Sequence, residues 1–340
     1  MTIRWMGLLA AVLSTLAISV AIPAWAADKA DVAAAKAEGS VVWYTSTPIQ
    51  QANKIVKLFE DRYGIKVQLF RTGGSEVLRR FLQETQAGRV LTDVLTTSDP
   101  EAVADLAERG TFVPFKPEGA AAVPAALQDP QGRFVAQRIN VIGFYGRNDL
   151  VSDADMPKTW ADLALPKYKG KLVTTDPSFT VLQLYVVGTL SKEMGWDYYT
   201  KVSANGTMIV KGGQQTFDTV KRGERAIAAG ADLSYAAGGV LAGVPLRIVL
   251  PADGAFVIPA PTAVVKGSPH PNAGKLLAEF MVTTEAQSVF PDNGNYAARA
   301  DLPAPSGGTA LSAIKIKTVD YAAMKTAGPA IKRKFSEIFQ

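Results

Sequence analysis

Small polar residues gather where two short apolar runs end. Val41-Val42-Trp43-Tyr44 breaks into Thr45-Ser46 ahead of Pro48, and Val67-Gln68-Leu69-Phe70 breaks into Arg71-Thr72-Gly73-Gly74-Ser75. These residues offer hydroxyls and close backbone rather than an acid and a base. Helix starts behind them add unpaired N–H groups and a partial positive charge, which suits a polar or anionic ligand. The glycines let backbone approach whatever lies there. Ser75 is expected as a helix N-cap, and Arg71 is either a solvated side chain or, turned inward, a bidentate clamp for carboxylate or phosphate. Thr97 and Ser98 end a third strand, with Asp99 as cap to the helix that Pro100 opens.

Further along, Asp176-Pro177-Ser178-Phe179-Thr180, Gly212-Gly213-Gln214-Gln215 and Asp232-Leu233-Ser234-Tyr235 repeat the arrangement. Ser178, Thr180, Gln215 and Tyr235 join Thr45, Ser46, Thr72, Gly73, Gly74, Ser75 and Ser98 as expected ligand contacts. Phe179 either narrows the pocket or packs inward. Catalysis has little to work with. The only histidine, His270, sits in Ser-Pro-His-Pro, and no G-x-S-x-G, H-E-x-x-H, Walker or dinucleotide fingerprint is present. Asp93, Asp99, Asp176 and Asp232 near strand ends leave two-carboxylate hydrolysis as an alternative from another class. No catalytic residue, metal or cofactor is expected.

The elements that position these residues alternate. Strands at 41–44, 66–70 and 93–95 are interleaved with helices at 48–63, 75–87 and 100–109, a pattern of parallel strands with crossover helices. A long strand over 139–145 follows a proline-rich passage, and 157–163 begins a short helix. A second block has strands at 171–175, 207–210, 225–229 and 246–250 and helices at 180–193, 195–204 and 215–222. A strand at 255–265 leads to helices at 271–282, 284–290, 308–312 and 318–338. In an open α/β sheet, ligands bind outside the carboxyl ends of the strands. If strands 139–145 and 255–265 pair, the chain crosses twice between two lobes and the crossings form a hinge.

Composition bounds the rest. Leu8 to Ile22 is almost unbroken apolar sequence, and Ala24-Trp25-Ala26 supplies an A-x-A cleavage pattern, so residues 1–26 are expected to be a signal peptide. The absence of cysteine excludes disulfides, thiol catalysis, Cys-ligated zinc and a lipid-anchored N-terminus. Residues 27–340 exceed the usual single-domain size, which predicts two domains. The formal charge is +5 with the leader and one unit lower without it, with the basic residues spread out. Nucleic-acid binding needs a clustered basic face and is not expected.

Over the whole mature chain, several stretches in order resemble one family. They are Gly39-Ser40-Val41-Val42-Trp43-Tyr44-Thr45-Ser46, Thr72-Gly73-Gly74-Ser75-Glu76, Thr92-Asp93-Val94 and Thr159-Trp160-Ala161-Asp162-Leu163. Pro166-Lys167-Tyr168-Lys169-Gly170-Lys171, Gly195-Trp196-Asp197-Tyr198-Tyr199, Pro251-Ala252-Asp253-Gly254, Pro269-His270-Pro271-Asn272-Ala273 and Asn295-Tyr296 continue the series. The chain resembles solute-binding proteins of bacterial ABC importers, in the ferric-ion-binding-protein-like group of the type II periplasmic binding fold. That group also contains phosphonate and sugar-phosphate receptors.

The resemblance implies a two-lobe α/β fold, each lobe a mostly parallel sheet flanked by helices. Residues 27–146 with 252–340 would form lobe 1, and 147–251 an inserted lobe 2. It implies a periplasmic, monomeric receptor that captures a small polar or anionic organic solute by hinge closure. An inner-membrane permease would be its partner. Iron-binding members typically use adjacent tyrosines from the second lobe, whereas this chain has Tyr235 alone at that place. The alternative within the fold is therefore a ferric-iron receptor using Tyr235, Tyr296 and an exogenous anion. The oxygen-rich set that ferric iron requires is incomplete.

Overall fold

The structure, a computed structural model, describes residues 27–340; the expected signal peptide over 1–26 lies outside the described residues. Helix α1 (Val32–Glu38) precedes the alternation of β1 (Ser40–Thr45), α2 (Ile49–Tyr63), β2 (Lys66–Arg71), α3 (Gly74–Gln86), β3 (Val94–Thr96) and α4 (Pro100–Glu108). Strand β1 pairs in parallel with both β2 and β3. As the Asp99-Pro100 pair predicts, Asp99 caps α4, accepting the Ala102 N–H at 3.0 Å.

The long strand β4 (Val135–Arg147) is buried along almost its whole length. After it come β5 (Leu172–Thr175), α5 (Val181–Met194), α6 (Trp196–Ala204), β6 (Met208–Val210), α7 (Gly213–Lys221), β7 (Ile227–Asp232), α8 (Leu233–Leu241) and β8 (Leu246–Val249). Strand β9 (Phe256–Val264) is followed by α9 (Pro271–Met281), α10 (Thr284–Ser288), β10 (Tyr296–Ala297) and α11 (Tyr321–Phe339). The strand order is β2-β1-β3-β9-β4-β7-β5-β6, with β8 and β10 also on β4.

Three parallel strands on each side are thus joined through β4 and β9. These two pair antiparallel from Val135 opposite Thr262 to Ile142 opposite Phe256. They are the two crossings that the sequence places at 139–145 and 255–265.

Each side has a large apolar core and at least one smaller one. Trp43, Ile55, Phe59, Leu276 and Phe280 fill the large core of the first side, and Phe144, Trp160, Leu172, Tyr185 and Phe256 that of the second. Trp160 meets Phe144 and Phe256 edge-on and donates its indole N–H to Gly254 O at 2.8 Å, so its one polar atom is satisfied. Each such buried side chain stabilises by about 1.5–3 kcal/mol.

Several boundaries differ from the sequence expectation. The stretch 308–312 holds only a 3-10 turn at Leu311–Ala313, and 157–163 leads into another at Ala161–Ala164. Strand 225–229 lies later, at Ile227–Asp232, and Pro48 is the N-cap of α2 rather than its first residue. Helix α11 was expected with the first lobe, yet its Met324, Ile331 and Phe335 bury into the second core against α5 and α6. Gly188 permits that approach, because a Cβ there would collide with the Met324 sulfur. No helix among the described residues is long and apolar enough to cross a membrane.

Candidate functional site

A cavity of about 640 Å³ lies between the two α/β halves, at the carboxyl ends of the parallel strands. From the first half come Ser46 after β1, Arg71 to Gly74 after β2, and Ser98 after β3. From the second come Thr175 after β5, Lys211 to Gln215 after β6, and Asp232 and Tyr235 after β7. Both halves therefore present the same end of the α/β sheet to one space, the position at which such sheets bind ligands.

Strand β4 forms part of the wall between them. Its side chains alternate, so Arg138, Asn140 and Ile142 share one face, and all three line the cavity. Arg138 is only 1% exposed. Its guanidinium donates to Thr47 Oγ1 at 2.9 Å, Ser98 Oγ at 3.0 Å and Ser46 Oγ at 3.3 Å, while its Nε–H has no partner. No carboxylate pairs with it among the described residues. Burial lowers its pKa to about 10, against the opposing pull of Asp232 and Tyr235, so it is still a cation at neutral pH. Asn140 donates to Ser98 Oγ at 3.3 Å and Ile258 O at 2.9 Å.

Arg71 takes the inward of its two expected orientations. Its Nε–H donates to Thr47 O at 2.9 Å and its Nη2 to the Tyr235 hydroxyl at 3.2 Å, which bridges the two halves. Burial pushes the Tyr235 phenol up while Arg71 pulls it down. Burial likewise raises Asp232, opposed by the Ser234 N–H and by Arg138.

The helix starts are unusual in one respect. Pro48, Gly73, Thr180 and Gly212 are the N-caps of α2, α3, α5 and α7; all four line the cavity and none makes a side-chain capping bond. Of the other helices, α1, α4, α10 and α11 are capped by Asp31, Asp99, Thr283 and Asp320, α8 by Asp232 on the cavity wall, and α6 and α9 have no side-chain cap. Four helices thus direct uncapped first turns toward one space, which favours an anion.

Of the residues expected to meet the ligand, Ser46, Thr72, Gly73, Gly74, Ser98, Thr180, Gln215 and Tyr235 line this cavity. Gln215 is exposed there, and its side-chain oxygen accepts the Lys211 N–H at 2.9 Å.

Three others do not line it. Thr45 is fully buried and bonds Thr47, the residue that supports both arginines, so it acts beneath the cavity floor. Ser75 lies one residue inside α3, because Gly73 rather than Ser75 is the N-cap. Ser178 is turned out to solvent by the Asp176 turn, in which its N–H donates to Asp176 Oδ1 at 2.7 Å. Phe179 is the residue at the rim, 42% exposed, with Lys211 Nζ 5.2 Å from its ring centroid.

Arg138, Asn140, Thr175 and Gln183 are cavity residues that the sequence reading missed. A cation and an amide two apart in an otherwise apolar strand were the available signal for the first pair.

Of the residues named for the alternatives, Tyr235 and Asp232 line the cavity, while Tyr296, Asp93, Asp99 and Asp176 do not. The Tyr296 hydroxyl donates to Thr309 O at 2.7 Å. Among the described residues no three His, Cys, Asp or Glu side chains gather as a metal site. Asp93 is fully buried, accepting the Val42 N–H at 2.7 Å and the His270 N–H at 2.8 Å, and its Oδ2 lies 2.9 Å from His270 Nδ1. This aspartate and the only histidine tie α9 to β1; His270 Nε2 lies 3.2 Å from Ser40 Oγ, and none of the three residues lines the cavity.

Two α/β halves joined by crossing strands around a ligand-sized cavity define a type II periplasmic binding protein. The chain belongs to the bacterial extracellular solute-binding protein family, which matches residues 90–327. It is 28% identical over 242 residues to a putative 2-aminoethylphosphonate-binding periplasmic protein of Salmonella paratyphi A, covering 68% of each chain. It is 25% identical over 243 residues to the probable ABC transporter periplasmic-binding protein y4fP of Sinorhizobium fredii, covering 67% of this chain and 65% of that one. Among solved structures, the periplasmic binding protein AfuA of Actinobacillus pleuropneumoniae, with fructose-6-phosphate bound, superposes with a TM-score of 0.78. That match has 21% identity and covers 88% of this chain and 98% of AfuA.

Proposed function

We propose that this protein is the periplasmic receptor of an ABC importer, taking up a small organic anion between its lobes and handing it to a membrane permease. The carrying observation is Arg138: a buried cation on the cavity wall, held by hydroxyls and facing no carboxylate partner among the described residues. Burying an unpaired charge costs several kcal/mol, which an anionic ligand offsets through charge-assisted hydrogen bonds. The uncapped helix starts around the same space and the inward Arg71 point the same way. The names of the two sequence relatives fit this reading.

The lobes in this proposal are 27–146 with most of 252–340, and 147–251 together with α11, turning about β4 and β9. The protein is exported by a cleaved leader over 1–26, has no lipid anchor, works as a monomer and carries out no catalysis. A thermal-shift screen of organic acids, phosphonates, sugar phosphates and ferric citrate tests it. A rise in melting temperature with an organic anion and none with iron is expected. Turnover of an ester or phosphate, or a visible charge-transfer band with ferric iron, overturns it.

A further inference from the structure

Asp232 is the one carboxylate on the cavity wall that is both buried and free of an ion pair among the described residues. It is 8% exposed, and its Oδ1 accepts the Ser234 N–H at 3.0 Å, capping α8. Glu76, the other acidic residue there, is half-buried and paired with Arg79. Strand register fixes where Asp232 lies relative to the cation. It pairs with Ile142, two positions beyond Arg138 on the cavity-facing side of β4, with Asn140 between them. That separates the two backbones by about 13 Å along the strand. Side chains from each end then leave room for a small molecule carrying complementary groups at its two ends.

We propose that Asp232 sets specificity, and that the solute carries a hydrogen-bond donor opposite its charge: an anionic group held at Arg138 and, at the other end, an ammonium or hydroxyl donating to Asp232. This rests on the reading of the cavity as an organic-anion site. With only the Ser234 N–H donating to it, the buried Asp232 carboxylate is costly to enclose, so an anion lacking the second group is disfavoured as well as less attracted.

Asp232→Asn isolates the effect, because asparagine caps helices as well as aspartate while losing the charge. The wild type and this variant are titrated by calorimetry with matched compounds. These are ethylphosphonate with its 2-amino and 2-hydroxy derivatives, and propionate with its 3-amino and 3-hydroxy derivatives.

The wild type is expected to bind a donor-bearing member at least about tenfold more tightly than the parent anion. In Asp232→Asn that preference should collapse for an amino member and weaken for a hydroxy member, whose donor the asparagine amide oxygen still accepts. Whether the amino or the hydroxy member leads in the wild type identifies the donor. Equal binding of parent and derivatives by the wild type overturns this inference and leaves the anion receptor standing. A preference that survives undiminished in Asp232→Asn overturns the role of Asp232. Binding of no anion overturns both.

Discussion

Arg138 is a buried cation held by the hydroxyls of Ser46, Thr47 and Ser98. Its replacement separates binding from folding. Arg138→Met should weaken anion affinity by about a hundredfold or more, since it removes at least one charge-assisted contact and the local positive field. The unliganded protein should melt at about the same temperature or higher, because an apolar side chain relieves the desolvation cost of a buried cation. Calorimetric titration and thermal melts of the same preparation check both.

At this scale the sequence was only partly legible. Thr72, Gly73 and Ser98 follow strands, so their place could be read from the end of an apolar run. Ser178 failed because side-chain direction in a turn depends on which residue the preceding aspartate ties down, here the Ser178 N–H itself. Arg138 was missed because a cation inside a strand reads as an exposed position until the strand is known to lie at the sheet's centre.

The helices show the same division. Their existence followed from hydrophobic periodicity and from Gly64 and Asp99-Pro100, whereas the cavity does not by itself decide capping. Away from it α6 and α9 start without a side-chain cap; at it α8 is capped by Asp232, and α2, α3, α5 and α7 have uncapped first turns. Gly73 and Gly213 mark those turns. A Cβ on Gly73 would stand 2.9 Å from Phe179 O of the other half, and one on Gly213 2.5 Å from the Tyr235 ring. Gly73 has φ −64° and ψ 152°, which alanine adopts freely, so Gly73→Ala tests contact between the halves rather than backbone strain. It should reduce affinity about tenfold by holding the halves apart, at little cost to the melting temperature of the unliganded protein. The reverse is expected for His270→Ala. Removing the ring from Asp93 and Ser40 should destabilise by about 1–3 kcal/mol while affinity stays unchanged, as titration alongside denaturant unfolding would report.

The whole molecule is two halves held by β4, β9 and contacts across the cleft. Tyr185 on α5 donates to Asp99 Oδ1 at 2.5 Å, Lys325 on α11 meets Asp105, and Arg71 meets Tyr235. Burial raises the pKa of both Tyr185 and Asp99, which keeps the phenol a neutral donor. Tyr185 lies outside the cavity wall, so Tyr185→Phe should weaken anion binding by up to about tenfold solely by loosening the contact between the halves, measured as a faster dissociation rate.

Two-lobe architecture was legible because β4 and β9 flank a complete α/β block, a pattern that survives small errors in each boundary. The placement of α11 was not. Its apolar face fits either core by periodicity, and only the gap at Gly188 selects the second.

Backbone hydrogen exchange with and without the anion selected by the thermal screen tests the central claim most directly. An anion gripped between the halves should slow exchange together at the first turns of α3, α5 and α7, which lie on both sides of the cavity and lack side-chain caps. Protection confined to one half, or appearing away from these turns, would contradict it.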